Sequence, residues 1–121
     1  LWQQAVPALY PDYQVTQIPT QWWHKGREID VVAPTDESTL IVGEAKFTNT
    51  PLGYDVLSSL EDDVEHIDWS PSGGREPTYE FALFSRSGFK RSVMEAADKR
   101  DTLRLFDLSE VVSVLENRID E

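Results

Sequence analysis

Hydrophobic and polar positions along this chain change period several times, and each change marks an element. Near the start, Trp2, Val6 and Leu9 recur at helical spacing and Pro11 follows, which predicts a helix over residues 1–10. Residues 13–24 alternate loosely and carry β-formers, which predicts a strand in which Pro19 marks an edge position or a bulge. Residues 27–33 (REIDVVA) and 39–47 (TLIVGEAKF) predict two further strands, joined by the polar hairpin loop Pro34-Thr35-Asp36-Glu37-Ser38. Over residues 52–67 the period lengthens: Leu52, Val56, Leu57, Leu60, Val64 and Ile67 share one helical face, and acids cover the rest. Pro51 lies near the start of this helix, where its missing N–H does little harm. Residues 70–74 form a loop, 79–85 an aromatic-rich strand, 89–99 a helix, 102–106 a short strand and 108–119 a closing helix.

That order is helix, three strands, helix, strand, helix, strand, helix. The first three strands can pair as a meander, and the fourth can cross over behind a helix. The expected fold is therefore α/β, a mixed four- to five-stranded sheet flanked by helices. At 121 residues the chain fits one domain spanning residues 1–121.

Alternation then brings chemistry into view. In the second strand Glu28, Asp30 and Val32 share a face, with Ile29, Val31 and Ala33 opposite. In the third, Leu40, Val42, Glu44 and Lys46 share a face. A hairpin centred on Glu37 pairs Asp30 with Glu44 and Glu28 with Lys46, at about 5 Å between facing Cβ atoms. Facing carboxylates repel, and burial penalises them further. A divalent cation removes both objections. Mg²⁺, or Mn²⁺ in its place, suits one or two carboxylates completed by water and phosphate oxygens, and the carbonyl of Ala45 can supply another oxygen. Asp30, Glu44 and Ala45 are the expected ligands. Lys46 is the expected catalytic ammonium, orienting water or stabilising charge on a phosphate. Glu28 is a second carboxylate behind the first pair or an ion-pair partner for Lys46. The same residues also admit a plainer reading, a surface strand pair with ordinary Glu–Lys contacts.

Composition narrows the classes. With no Cys, disulfides, thiol nucleophiles and iron–sulfur ligation are excluded, and two His are too few for a His-rich site. No apolar run approaches the roughly 20 residues that cross a bilayer, so a soluble cytoplasmic domain without membrane contact is expected. The chain starts at Leu1 and has Met94 as its single Met, which reads as a piece of a longer protein. Against 22 Asp and Glu stand 11 Lys and Arg, of which four are Lys, for a net charge of −11. That balance runs against phosphate contact and suits concentrated salt, where the Debye length falls to about 3 Å. Residues 55–68 hold six acids and no Lys or Arg. Six cations, Arg86, Lys90, Arg91, Lys99, Arg100 and Arg104, fall within 19 residues. Of these Arg86, Lys90 and Arg91 are the candidates for phosphate contact, against the alternative of a solvated helix with local ion pairs. Trp22 and Trp23 stand side by side on a strand, so one can pack inward while the other faces out.

The run Trp22-Trp23-His24-Lys25-Gly26-Arg27-Glu28-Ile29-Asp30-Val31-Val32-Ala33, then Val42-Gly43-Glu44-Ala45-Lys46-Phe47, resembles the C-terminal domain of archaeal DEXX-box ATPases. Phe84-Ser85-Arg86-Ser87-Gly88-Phe89 is similar to the segment after that family's fourth core strand. The resemblance implies a PD-(D/E)xK, restriction-endonuclease-like αβββαβ core with ligands at Asp30 and Glu44 and a catalytic lysine at Lys46. It also implies an N-terminal P-loop, ATP-binding module as partner, an association with DNA, and an archaeal, halophilic source that suits the acidic surface. Such folds often add an acid from the first helix, and residues 1–9 contain none. A non-catalytic regulatory domain that kept the nuclease-like fold is the alternative.

Overall fold

The structure, a computed structural model, describes residues 2–119. Its elements run α1 (Trp2–Leu9), β1 (Thr20–His24), β2 (Arg27–Pro34), β3 (Thr39–Lys46), α2 (Tyr54–Val64), a 3₁₀ turn (Ser72–Gly74), β4 (Thr78–Ser85), α3 (Arg91–Lys99), β5 (Leu103–Asp107) and α4 (Leu108–Ile119). The strands form one five-stranded sheet in the order β1-β2-β3-β4-β5. The first three pair antiparallel, then β4 joins β3 and β5 joins β4 in parallel. This is the mixed α/β sheet expected from the alternating periods, with the αβββαβ order intact.

Helices cover both faces. On one side α1 and α4 pack Ala5, Val6 and Val111 against Val31, Ala33, Ile41, Phe84 and Phe106. On the other, Leu57, Leu60 and Val64 of α2 and Val93 of α3 pack against Ile29, Leu40, Val42, Leu83 and Leu103. The central strands β3 and β4 therefore read as continuous apolar runs, because both of their faces are covered. Gly43 leaves no room for a side chain between β3 and β4: a Cβ there would lie 3.0 Å from the Ala82 carbonyl oxygen and 3.2 Å from the Phe84 ring.

Two expected boundaries shift. Residues 13–19 are not a continuous strand: Val15 makes a single bridge to Thr35, and regular pairing resumes only at Thr20. Pro19 has no N–H to give to a ladder, and Ile18 beside it is 85% exposed. The long helix starts later than its periodicity indicates. Leu52 instead bridges Phe89 in parallel, accepting from the Lys90 N–H and donating to the Gly88 carbonyl, both at 2.9 Å. Gly53 then caps α2. Leu52 keeps the core-facing role that periodicity assigned it, from a loop position, and Phe89, expected to open the helix that begins at Arg91, packs against the same core.

Candidate metal centre

The β2–β3 ladder runs Pro34↔Leu40, Ala33↔Ile41, Val32↔Val42, Val31↔Gly43. This is the register expected from a hairpin centred on Glu37, and its next step brings Asp30 to Glu44. Regular pairing ends there for a local reason. Against β1, β2 carries a bulge: Thr20 faces Val32 and Trp22 faces Ile29, so Asp30 and Val31 together oppose one residue, Gln21. Bulges re-aim side chains. Here strict alternation fails, and Ile29 packs on the α2 side while Val31 packs on the α1 side.

The bulge turns Asp30 toward the β3 main chain. Its Oδ2 accepts from the Ala45 N–H at 2.9 Å. Its own carbonyl oxygen accepts from Gln3 Nε2 of α1 at 2.8 Å. The first helix thus reaches β2 with an amide rather than an acid, and fixes the backbone of the bulged residue. Sequence reasoning missed this contact, since a lone Gln in an amphipathic helix carries no signal.

Glu44 is half-buried beside Asp30. Burial, then the neighbouring Asp30 carboxyl, then the negative charge of Asp63 push its carboxyl up to about 9, with Lys46 pulling weakly the other way. An acid so placed holds a proton at neutral pH. Glu44 and Lys46 line one pocket of about 420 Å³ with Arg27, Glu28, Asp55 and Asp63. The α2 acids of this wall, Asp55 and Asp63, stand eight residues apart with Ser59 between them, one stripe of the helix. Their spacing was visible in the sequence, although nothing there said which way the stripe faced.

Lys46 is exposed at the end of β3 and, among the described residues, is in no ion pair. Glu28 does not reach it. The Glu28 Oε2 accepts instead from Trp23 Nε1 at 3.0 Å, its cross-strand neighbour on β1. The cation run also separates. Arg86 donates to Asn49 Oδ1 at 3.0 Å, and its N–H donates to the Lys46 carbonyl at 3.2 Å. The stem of Lys90 lies over Gly53 at the start of α2. Both therefore stand where the loops after β3 and β4 meet. Arg91 is exposed and paired with Glu95 at 3.2 Å, Arg100 with Glu61 at 3.4 Å, and Arg104 with Asp12 at 2.6 Å. The fold keeps Arg91 and Lys99 on α3 with Lys90 and Arg100 at its ends, and places Arg86 just after β4 and Arg104 on β5.

Two carboxylates suit a hard divalent cation, which takes one or two such ligands and completes its shell with water and phosphate oxygens. Among the described residues no group of three or more His, Asp or Glu side chains converges on one point. Further ligands would be main chain, as at Ala45, or solvent. The pair fits such an ion because it faces a half-buried acid with another acid and offers no side-chain cation in contact. Among the described residues no helix is long and apolar enough to cross a membrane.

Residues 8–65 match a protein family described as "Archaea bacterial proteins of unknown function". The matched stretch is a little under half of the chain and contains β1, β2, β3 and α2, and with them Asp30, Glu44 and Lys46. No curated protein and no solved structure matches the chain.

Proposed function

We propose that this chain is a nuclease-like phosphodiesterase domain that uses Mg²⁺ or Mn²⁺ at Asp30 and Glu44, as the C-terminal part of an archaeal P-loop ATPase acting on or with DNA. The observation that carries the reading is the carboxyl pair itself. Glu44 is half-buried beside Asp30, and burial together with the neighbouring negative charges raises its carboxyl, so ionising both acids at once is disfavoured. Such an arrangement is costly for a purely structural strand pair. It is useful if a metal takes the proton's place.

The chain's own groups then divide the work. Asp30 is oriented by the Ala45 N–H, and its backbone by Gln3. A bound divalent cation supplies a polarised phosphate and a water of lowered pKa. The Lys46 ammonium, in no ion pair among the described residues, would orient an attacking water or meet charge developing on the phosphate. Arg86 and Lys90 receive neighbouring phosphates. The ATP-binding module and the cytoplasmic, salt-rich setting are parts of the same proposal.

A second reading is a non-catalytic docking domain of the ATPase. The acids Asp55 and Asp63 on the pocket wall and the amide at Gln3 favour it. Cleavage of DNA with Mg²⁺ or Mn²⁺ at high salt, compared with Glu44→Ala and Lys46→Ala, separates the two. The nuclease reading expects each variant to lose roughly 10²–10³-fold in rate. Equal rates in all three proteins would remove the catalytic assignment, and a wild type that binds metal without cleaving would leave the docking domain.

A further inference from the structure

The two adjacent tryptophans of β1 have opposite fates. Trp22 packs against the α2-side core, whereas Trp23 is 67% exposed. A large ring in solvent on so acidic a protein calls for a ligand that is itself flat and apolar on its faces. The ring is not loose. Its Nε1 donates to Glu28 Oε2 at 3.0 Å, and Trp23 and Glu28 face each other across the β1–β2 ladder. The ladder closes in a tight turn whose Lys25 and Gly26 take left-handed conformations, φ 49° and 80°. Glu28 is also a wall of the pocket that holds Glu44 and Lys46. One carboxylate therefore ties an exposed indole to the rim of the candidate phosphodiesterase site.

We infer that Trp23 is a stacking platform for an unpaired nucleobase, and that the pocket accepts a single strand in preference to a duplex. The inference rests on the nuclease reading above. A base has a π-face whatever its identity, so stacking on an exposed ring gives affinity without sequence preference. The opposite wall supplies the strand preference. A duplex entering beside the hairpin would bring a second phosphate backbone against Asp55 of α2, where like charge repels it, while Asp63 on the same wall is paired with Arg27 at 3.0 Å. A single strand has one backbone, which Lys46 and Arg86 can receive, and free bases to lay on Trp23.

The test is binding at one fixed salt concentration, with Ca²⁺ replacing Mg²⁺, of three fluorescent probes of equal length. These are oligothymidylate, an abasic strand and a duplex, each measured with wild type, Trp23→Phe and Trp23→Ala. Oligothymidylate is expected to bind best. Trp23→Ala should weaken it roughly ten-fold, leave the abasic strand unchanged and keep the wild-type melting temperature, while Trp23→Phe retains most of the affinity. A preference for duplex, an equal loss on the abasic strand, or no effect of Trp23→Ala would overturn the inference. So would a wild type that binds none of the probes, which would leave Trp23 as an anchor for a protein. Cleavage with no effect of Trp23→Ala sinks the stacking platform alone. Stacking without cleavage under Mg²⁺ sinks the nuclease reading alone.

Discussion

Two clusters of carboxylates lie on this sheet, and they are built on opposite principles. Near the start of β4, Glu80 is buried, and its Oε1 accepts from the Tyr13 hydroxyl at 2.8 Å. Beside it Arg104 lies 4.3 Å over the Tyr10 ring and holds Asp12 through two hydrogen bonds of 3.1 and 2.6 Å. Its acids are met by donors or a cation, save one oxygen of Glu80 and the Tyr10 hydroxyl, which have no partner. At the end of β3 the logic reverses: Asp30 and Glu44 face each other, and the nearby amine, Lys46, reaches neither closely enough to form an ion pair. A polar cluster that satisfies itself is structure. One that sets two acids against each other, out of reach of the nearby amine, is prepared for something outside the chain.

Substitutions can break this contrast. The largest effect belongs to Glu44→Gln, which should cost roughly 10²–10³-fold in cleavage while the metal-free protein melts no lower than wild type. Tyr13→Phe should do the reverse. It leaves the buried Glu80 without its donor, so unfolding free energy should drop by about 1–3 kcal/mol in denaturant titration with cleavage unchanged. Arg104→Ala removes one partly exposed ion pair and one cation–π contact, and about 1 kcal/mol is expected. A pH slope tests the pair without any substrate. Glu44 keeps its proton in the folded chain up to about 9, against an ordinary value of 4.5. Between those values the folded state binds more protons than the unfolded, so this group's contribution to stability falls as pH rises. Asp12, held low by Arg104, acts oppositely and loses its contribution as pH falls below the ordinary carboxylate range. Melting temperature followed from pH 5 to 9 should therefore show a decline that Glu44→Gln flattens and Arg104→Ala leaves in place.

Much of the architecture was legible because period and burial agree. Residues 39–47 read as a strand, and 39–46 are one, flanked by α1 and α2. The register that brings Asp30 to Glu44 followed from the hairpin length alone. What alternation could not show was the bulge at Asp30 and Val31, because an extra residue in one strand leaves no trace in its own sequence. That bulge is why Asp30 bonds the Ala45 amide, a contact no pattern of side chains encodes. Glu28 was misdirected for a similar reason: the hairpin register extrapolates it to Lys46, but regular pairing with β3 stops short of it, and across the other ladder it faces Trp23, whose indole N–H is the donor it meets. The cations of residues 86–104 divide between local and tertiary contacts: Arg91 pairs with Glu95 one turn along α3, whereas Arg100 meets Glu61 of α2 and Arg104 meets Asp12.

The central claim is that Asp30 and Glu44 share a divalent cation, and calorimetric titration with Mn²⁺ tests it most directly. Wild type and Glu80→Gln should each show one binding event, and Asp30→Asn and Glu44→Gln should show none. Equal heats in all four proteins, or none in the wild type, would contradict it.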